Sequence, residues 1–284
     1  MKGIDIAKWN PVQDYKAVSE QVSFAVLKII NKQNNEDGLF STHLTGCRKN
    51  NIPIYGVYNY SYASTLDKAR SDAAAVISAL RRHDLKTIVW MDVEENDIAK
   101  RIGRTLGDVI RAYRDVIESA GYTFGIYTGL SYYNSFIQPC LDKIGSANMW
   151  IARYPSSSPM TIGQEPPANK KPIVYGMMAW QYTSKGQISG IKGNVDLSVS
   201  ELTEEDWDQR INSNIINIDI KPTLHKGDTN DYVRAWQMLL NQNGYNCGNA
   251  DGIFGNQTEK AVIRWQQDHG MEAGYIGEKT WETI

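Results

Sequence analysis

Over its first 200 residues the chain repeats one pattern, a short apolar, β-branched or aromatic run followed by a stretch with helical spacing. The runs are Lys2–Ile6, Phe24–Ile30, Ile54–Tyr60, Thr87–Val93, Phe124–Thr128, Met149–Arg153, Met177–Tyr182 and Val195–Leu197. Between them, Leu66–Arg82 places Ala69, Ala73, Val76, Ile77 and Leu80 on one helical face. Arg104–Ala120 does the same with Leu106, Val109, Ile110, Tyr113, Val116, Ile117 and Ala120. The early runs are continuously apolar rather than alternating, the mark of strands covered on both faces of a parallel sheet. Eight such runs with interleaved helices predict an α/β fold closed as a TIM-like β/α barrel. From Tyr175 the strands crowd together with little room for helices, so an irregular barrel is expected.

A chain of 284 residues suggests two domains at about 150 residues each, and a barrel alone takes 200 or more. Glu201–Arg210 is acidic and polar, and Ile211–Ile220 has no helical period, so 206–220 reads as a linker between a barrel at 1–205 and a second domain at 221–284. In the latter, Asp231–Asn243 carries Val233, Trp236, Leu239 and Leu240 at helical spacing before Gly244. Asn256–His269 carries Ala261, Val262 and Trp265 before Gly270, and a last short helix would hold Trp281 and Ile284. A unit of about 64 residues sits near the lower size limit for an independent core, so a compact three-helix module with mostly buried Trp is expected.

Composition narrows the function. The longest apolar run, Ser23–Ile30, contains Lys28, too short and too polar to span a bilayer, so no membrane partner is expected. Thirty basic against 32 acidic residues leave a net charge of −2 and no electrostatic footprint for nucleic acid. Six basic and 8 acidic residues fall in 221–284. Cys47, Cys140 and Cys247 lie far apart without metal-ligand spacing, which predicts buried thiols and neither metal nor cofactor. The N-terminus MKGIDIAKWN has no apolar signal core, so a protein made in the cytoplasm is expected. Sixteen Tyr and 8 Trp against 5 Phe are an excess of rings with a polar handle, suited to wet surfaces such as carbohydrate faces.

The sharpest local feature is TIVWMDVEEN. On a strand, Asp92 and Glu94 project to one side with Val93 opposite, at the strand end where barrel enzymes build their sites. Two neighbouring carboxylates cannot both ionise freely, so one can donate a proton while the other stays anionic. Glycosidic cleavage requires that pairing. Taken alone, the pair more often marks a solvated strand end or a metal-independent ion-pair site than a catalytic one. Glu95 should face away, as a surface or capping residue. Asp5 and Asp196 lie in the first and last strands, which are neighbours in a closed barrel, so both can reach the same mouth. An acid flanked by apolar residues needs a partner or a task; satisfaction by backbone N–H groups is the competing reading for each.

In order along the chain, GIDIAKWN at the start, YGVYNYSYA (Tyr55–Ala63), MDVEEN (Met91–Asn96), GIYTG (Gly125–Gly129), WIARYP (Trp150–Pro155) and AWQYTSKGQISGIKGNVDLS (Ala179–Ser198) resemble the glycoside hydrolase family 25 lysozymes across residues 1–205. The resemblance implies an N-acetylmuramidase that cuts the β-1,4 bond between N-acetylmuramic acid and N-acetylglucosamine in bacterial peptidoglycan. It also implies Glu94 as general acid, Asp92 as second catalytic carboxylate, and Asp5 and Asp196 as supporting acids. Asp92 either attacks as nucleophile or orients the substrate's 2-acetamido group to attack; the latter is preferred because N-acetylmuramic acid carries that group beside the anomeric carbon. Tyr58, Tyr60, Tyr127 and Trp180 are expected to stack on or hydrogen-bond the glycan, and Lys28 to meet a carboxylate at the mouth. Asn59 stands where many relatives have His.

PTLHKGDTNDYVRAWQMLLNQNGY, DGIFGNQTEKAVIRWQQDHG and GYIGEKTW resemble the three-helix peptidoglycan-binding domain type 1 over Pro222–Ile284, which implies wall targeting. In its turn Asp251–Thr258, Gly252 and Gly255 supply permissive backbone and Asn256 or Thr258 can cap the next helix. A wall hydrolase without a signal resembles a phage or prophage endolysin. The alternative of another class is a non-catalytic wall-binding protein on the same scaffold, disfavoured because Asp5, Asp92, Glu94 and Asp196 are all present. A chitinase-type barrel would need acids at Ile88 and Trp90. Near-neutral charge argues against simple electrostatic attraction to an anionic wall, so targeting must rest on specific contacts.

Overall fold

The computed structural model of the chain describes every residue except 146, 214–221, 273, 282 and 284. It divides into two compact units, Met1–Pro172 with Gly176–Ile216, and Ile173–Tyr175 with Asn217–Ile284. Among the described residues no helix is long and apolar enough to cross a membrane.

The first unit is built on one sheet with strands β1 (Lys2–Ile6), β2 (Phe24–Lys28), β3 (Ile54–Tyr60), β4 (Ile88–Asp92), β5 (Thr123–Gly129), β6 (Asn148–Ala152), β7 (Met160–Thr161), β8 (Met177–Gln187) and β9 (Val195–Val199). β1 to β6 run parallel in sequence order, and β6 pairs parallel with β8. β9 fits antiparallel between β8 and β1 and closes an eight-stranded mixed barrel, with the two-residue β7 beside the far end of β8. Direction follows from connection length. Helices such as Leu66–Arg82 and Thr105–Ser119 give room for parallel crossovers, whereas residues 188–194 leave none, so β9 returns against β8. The irregularity expected from Tyr175 onward is this hairpin.

The barrel interior is filled by rings. A Cβ on Gly56 would sit 2.2 Å from Trp90 Nε1, and one on Gly125 would sit 2.4 Å from the same indole. The two glycines on the strands flanking β4 therefore make the space that Trp90 fills.

At the end where the strands begin, the helix Glu204–Ser213 closes the barrel, which corrects the reading of 206–220 as linker in its first half. Its composition is polar, but Trp207 and Ile211 are one turn apart and both buried. The Trp207 ring stacks 5.0 Å from Tyr55 and lies 5.5 Å from Phe24, while Arg210 Nη1 donates to Asn148 Oδ1 at 2.9 Å. The remainder of the expected linker, 214–220, lies outside the described residues. Trp207→Ala should therefore destabilise the barrel by about 3–5 kcal/mol, the usual cost of emptying a buried Trp site, read as a lower denaturant midpoint. An unchanged midpoint would show the helix to be dispensable.

In the second unit, helices Asp231–Gln242, Asn256–Asp268 and Glu278–Trp281 gather Trp236, Trp265 and Trp281 into one core with Val233, Leu240, Phe254 and Val262. Trp281 falls in the last helix as expected, and Ile284 lies outside the described residues. The turn Asp251–Thr258 wraps around a buried amide. Gln237 Nε2 donates to Asp251 Oδ1 (2.9 Å), the Ile253 carbonyl (3.0 Å) and Thr258 Oγ1 (2.9 Å), and Gln237 Oε1 accepts from Gly252 N (2.7 Å). Neither Asn256 nor Thr258 caps the second helix; Gly255 does so without a side chain, because Thr258 is drawn inward to Gln237.

Candidate active site

Strand direction gathers the acids at one end of the barrel. Asp92 is the last residue of β4 with Glu94 two beyond it, and Asp5 is next to last in β1. Because β9 runs the opposite way, its second residue, Asp196, reaches the same mouth and pairs directly across from Asp5. Lys28 ends β2 opposite Tyr58, and Tyr127 lies opposite Asp92.

Burial dominates the electrostatics. Asp92 is 5% exposed, and desolvation, then the Glu94 charge, holds its carboxyl well above the usual range; Lys28 pulls the other way. Glu94 is also raised by burial, opposed by the Gly129 backbone N–H, which donates to its carboxylate. Asp5 is raised by burial and by the Asp196 charge, and burial pushes Asp196 up to about 6. The last two share a hydrogen bond, so the pair retains a proton where two separate carboxyls would have lost both. Asp92 Oδ1 is buried and has no hydrogen-bond partner among the described residues.

Sequence reasoning missed Gln181, which organises this pair. Its Oε1 accepts from Tyr127 Oη (2.8 Å) and Tyr154 Oη (2.6 Å). With the oxygen claimed by two hydroxyls, the amide nitrogen must face the acids, donating to Asp5 Oδ2 at 2.9 Å and reaching Asp196 Oδ2 at 3.5 Å. The available signal was the one used for Asp5, a polar residue within an apolar strand.

The same two-residue period corrects Trp180. With Gln181 turned inward, Trp180 faces the other side of β8; it is 2% exposed, packs 6.2 Å from Tyr182 and donates from Nε1 to the Arg153 carbonyl at 2.7 Å. It does not join the mouth. The indole beneath the mouth is Trp150, 4.5 Å from the Tyr127 ring and 6.4 Å from Tyr58, with Nε1 donating to Ser198 Oγ at 3.0 Å. Tyr58 carries the Lys28 ammonium 5.6 Å from its ring. Tyr60 donates to Glu95 Oε1 at 2.7 Å, so the acid expected at the surface holds a ring of the rim. Asn59 points away from the mouth and accepts from the buried Tyr113 hydroxyl.

Loops add what no period could show. Asp37, after β2, is buried with Oδ2 unpartnered among the described residues, and its charge reaches Tyr58. Trp9, after β1, is 76% exposed with the Lys8 ammonium 4.4 Å from its ring, and Lys32 similarly covers Tyr62 at 4.2 Å. Among the described residues no group of three or more His, Cys, Asp or Glu is placed to hold a metal. Buried carboxyls with raised pKa values beside a rim of exposed and half-buried rings suit acid catalysis on a sugar chain.

A family profile described as "Glycosyl hydrolases family 25" matches residues 4–191, and one described as "Putative peptidoglycan binding domain" matches 229–284. The chain is 24% identical over 275 residues to the autolytic lysozyme of Clostridium acetobutylicum, covering 95% of this chain and 74% of the other. The catalytic domain of endolysin ply40 from bacteriophage P40 of Listeria monocytogenes shares its fold, with a TM-score of 0.61 and 24% identity over 75% of this chain and 98% of that one. The modular autolysin LytC of Streptococcus pneumoniae, solved with a synthetic peptidoglycan ligand, is 26% identical with a TM-score of 0.55, over 69% of this chain and 46% of that one.

Proposed function

The chain belongs to glycosyl hydrolases family 25, as a peptidoglycan-hydrolysing lysozyme with a peptidoglycan-binding domain, and from that premise we propose that Glu94 and Asp92 together cut the β-1,4 bond between N-acetylmuramic acid and N-acetylglucosamine. Glu94, whose pKa burial raises, gives its proton to the bridging oxygen as the C1–O bond breaks. The acetamido carbonyl oxygen of the same muramic acid closes onto C1, and Asp92 accepts the amide N–H as positive charge builds there. Water, deprotonated by the anionic Glu94, opens this ring and restores the acid.

The observation that carries this reading is the buried Oδ1 of Asp92 beside Glu94, unclaimed among the described residues. A carboxyl that burial and a neighbouring charge press toward its neutral form is a reluctant attacking anion. It is a good acceptor for an N–H whose charge grows in the transition state. Asp196, whose charge reaches both Asp92 and Glu94, raises both carboxyls, and Asp5 with Gln181 fixes Asp196 in place. Tyr58, Tyr60 and Tyr127 line the glycan path, and the protein acts at the bacterial cell wall with its C-terminal unit holding the polymer.

Purified peptidoglycan tests the reading: reducing sugar released without new amino groups supports it, and new amino groups without reducing sugar contradict it. The pH profile gives a second test. The alkaline limb reports Glu94 losing its proton, and the acid limb reports Asp92 gaining one. Lys28 favours ionised Asp92, so Lys28→Met should raise the Asp92 pKa and move the acid limb of kcat/KM to higher pH. An unmoved acid limb would separate Lys28 from Asp92.

A further inference from the structure

The C-terminal unit carries a groove of about 560 Å³, remote in sequence from the acids of the mouth and lined by Asn246, Gly248, Gln257, Lys260, Ile263 and Arg264. The helix Asn256–Asp268 turns Ala261, Val262 and Trp265 into the core and presents Gln257, Lys260 and Arg264 along another face. The opposite wall is the loop after helix Asp231–Gln242, and it is shaped by specific backbone geometry. Gly248 has φ +83°, and a Cβ there would lie 2.3 Å from Gln257 Oε1, so only glycine lets that amide approach the loop. Arg264 Nη2 donates to the Tyr245 carbonyl and lies 3.5 Å from that of Asn246, which holds the guanidinium along the groove edge.

Charge distinguishes this groove from its surroundings. The segment 221–284 carries 6 basic and 8 acidic residues, yet two of those bases line one groove. The nearby acids are engaged elsewhere: Glu259 pairs with Lys226 at 2.8 Å, and Asp268 accepts from Tyr245 Oη at 2.8 Å. Among the described residues neither Lys260 nor Arg264 lies within ion-pair distance of a carboxylate. The chain thus holds two unneutralised cations, two side-chain amides and one apolar side chain along a single concave strip.

We propose that this groove binds the peptide stem of peptidoglycan through a free carboxylate, a proposal that rests on the reading of the chain as a wall hydrolase. Arg264 takes the carboxylate with the N–H groups that face the groove, and Lys260, one turn earlier, adds charge. Gln257 and Asn246 bond the stem's backbone, and Ile263 meets a small apolar side chain such as an alanine methyl. Peptide, not sugar, is what the C-terminal unit holds, and this supplies the specific contact that a near-neutral chain needs for targeting.

The test uses the full chain, walls stripped of teichoic acid, and muramyl dipeptide with its free carboxylate or with that carboxylate amidated. Lys260→Glu combined with Arg264→Glu should weaken wall pull-down roughly tenfold or more, the scale of losing a charge-assisted hydrogen bond. Lys260→Glu alone leaves the Arg264 contacts to the loop in place and should weaken it by a smaller, salt-sensitive factor. Backbone amide signals of 257–264 should move with the free dipeptide and not with the amidated one. Cleavage of soluble glycan fragments by both variants should equal that of the parent, so failure of the hydrolase reading would show separately as no cleavage by the parent. Undiminished pull-down by the double variant would overturn the proposal. So would binding that disappears when teichoic acid is removed, which would make phosphate the ligand.

Discussion

Replacing Glu94 by Gln is expected to slow wall hydrolysis by roughly 10²–10⁴-fold, the usual contribution of a positioned general acid. Glutamine has the same shape, and its amide oxygen can still accept from the Gly129 backbone N–H that holds the carboxylate in place. What it lacks is the proton for the leaving oxygen. Fold and wall binding should therefore stay at parental levels, read as an unchanged thermal midpoint and unchanged pull-down. Retained turnover would remove Glu94 as the acid. A loss accompanied by a lower midpoint would instead assign Glu94 a structural task.

Asp92→Asn should move two readouts in opposite directions. Activity should fall by roughly 10²–10³-fold, the scale of removing one preorganised group from a transition state. Stability at neutral pH should rise. The folded protein raises the Asp92 pKa above its unfolded value, so the stabilising contribution is complete below the unfolded pKa and is lost as pH climbs through the folded one. Above its folded pKa the ionised carboxylate is a cost of the fold, because burial opposes its charge. Asparagine carries no charge at any pH. The midpoint gap between variant and parent should be widest near neutrality and close at acid pH, at about 2–4 °C per kcal/mol for a domain of this size. A variant less stable than its parent at neutral pH would mean that the Lys28 attraction outweighs the burial of Asp92.

How far the site could be read beforehand follows from what each residue's neighbours in sequence reveal. Asp5 and Asp196 were legible because an acid inside an apolar strand is conspicuous and a closed barrel makes first and last strands neighbours. Asp92 and Glu94 were legible because strand direction and a two-residue period fix both their end and their side. Trp180 was misplaced for the complementary reason. In Trp180–Gln181–Tyr182 every residue is plausible at a mouth, and only the hydrogen bonds of Gln181 decide which face turns inward. Asp37, Trp9 and Tyr154 come from loops, which have no period to read.

Outside the mouth, the helix Glu204–Ser213 was obscured by its own surface. Eight of its ten residues are polar or charged, with Trp207 and Ile211 as the only apolar side chains, both buried. Thr258 shows the same limit at a smaller scale. Its position suited a cap, but the buried amide of Gln237, 21 residues earlier, competes for its hydroxyl. Tertiary partners, invisible to local pattern, decided both.

The most direct measurement is mass spectrometry of fragments from purified walls digested by the protein and then reduced with borohydride. A muramidase leaves each new reducing end on N-acetylmuramic acid, so the fragments should end in N-acetylmuramitol, and Glu94→Gln should produce none above background. Fragments ending in N-acetylglucosaminitol, or freed amino groups without any new reducing end, would contradict it.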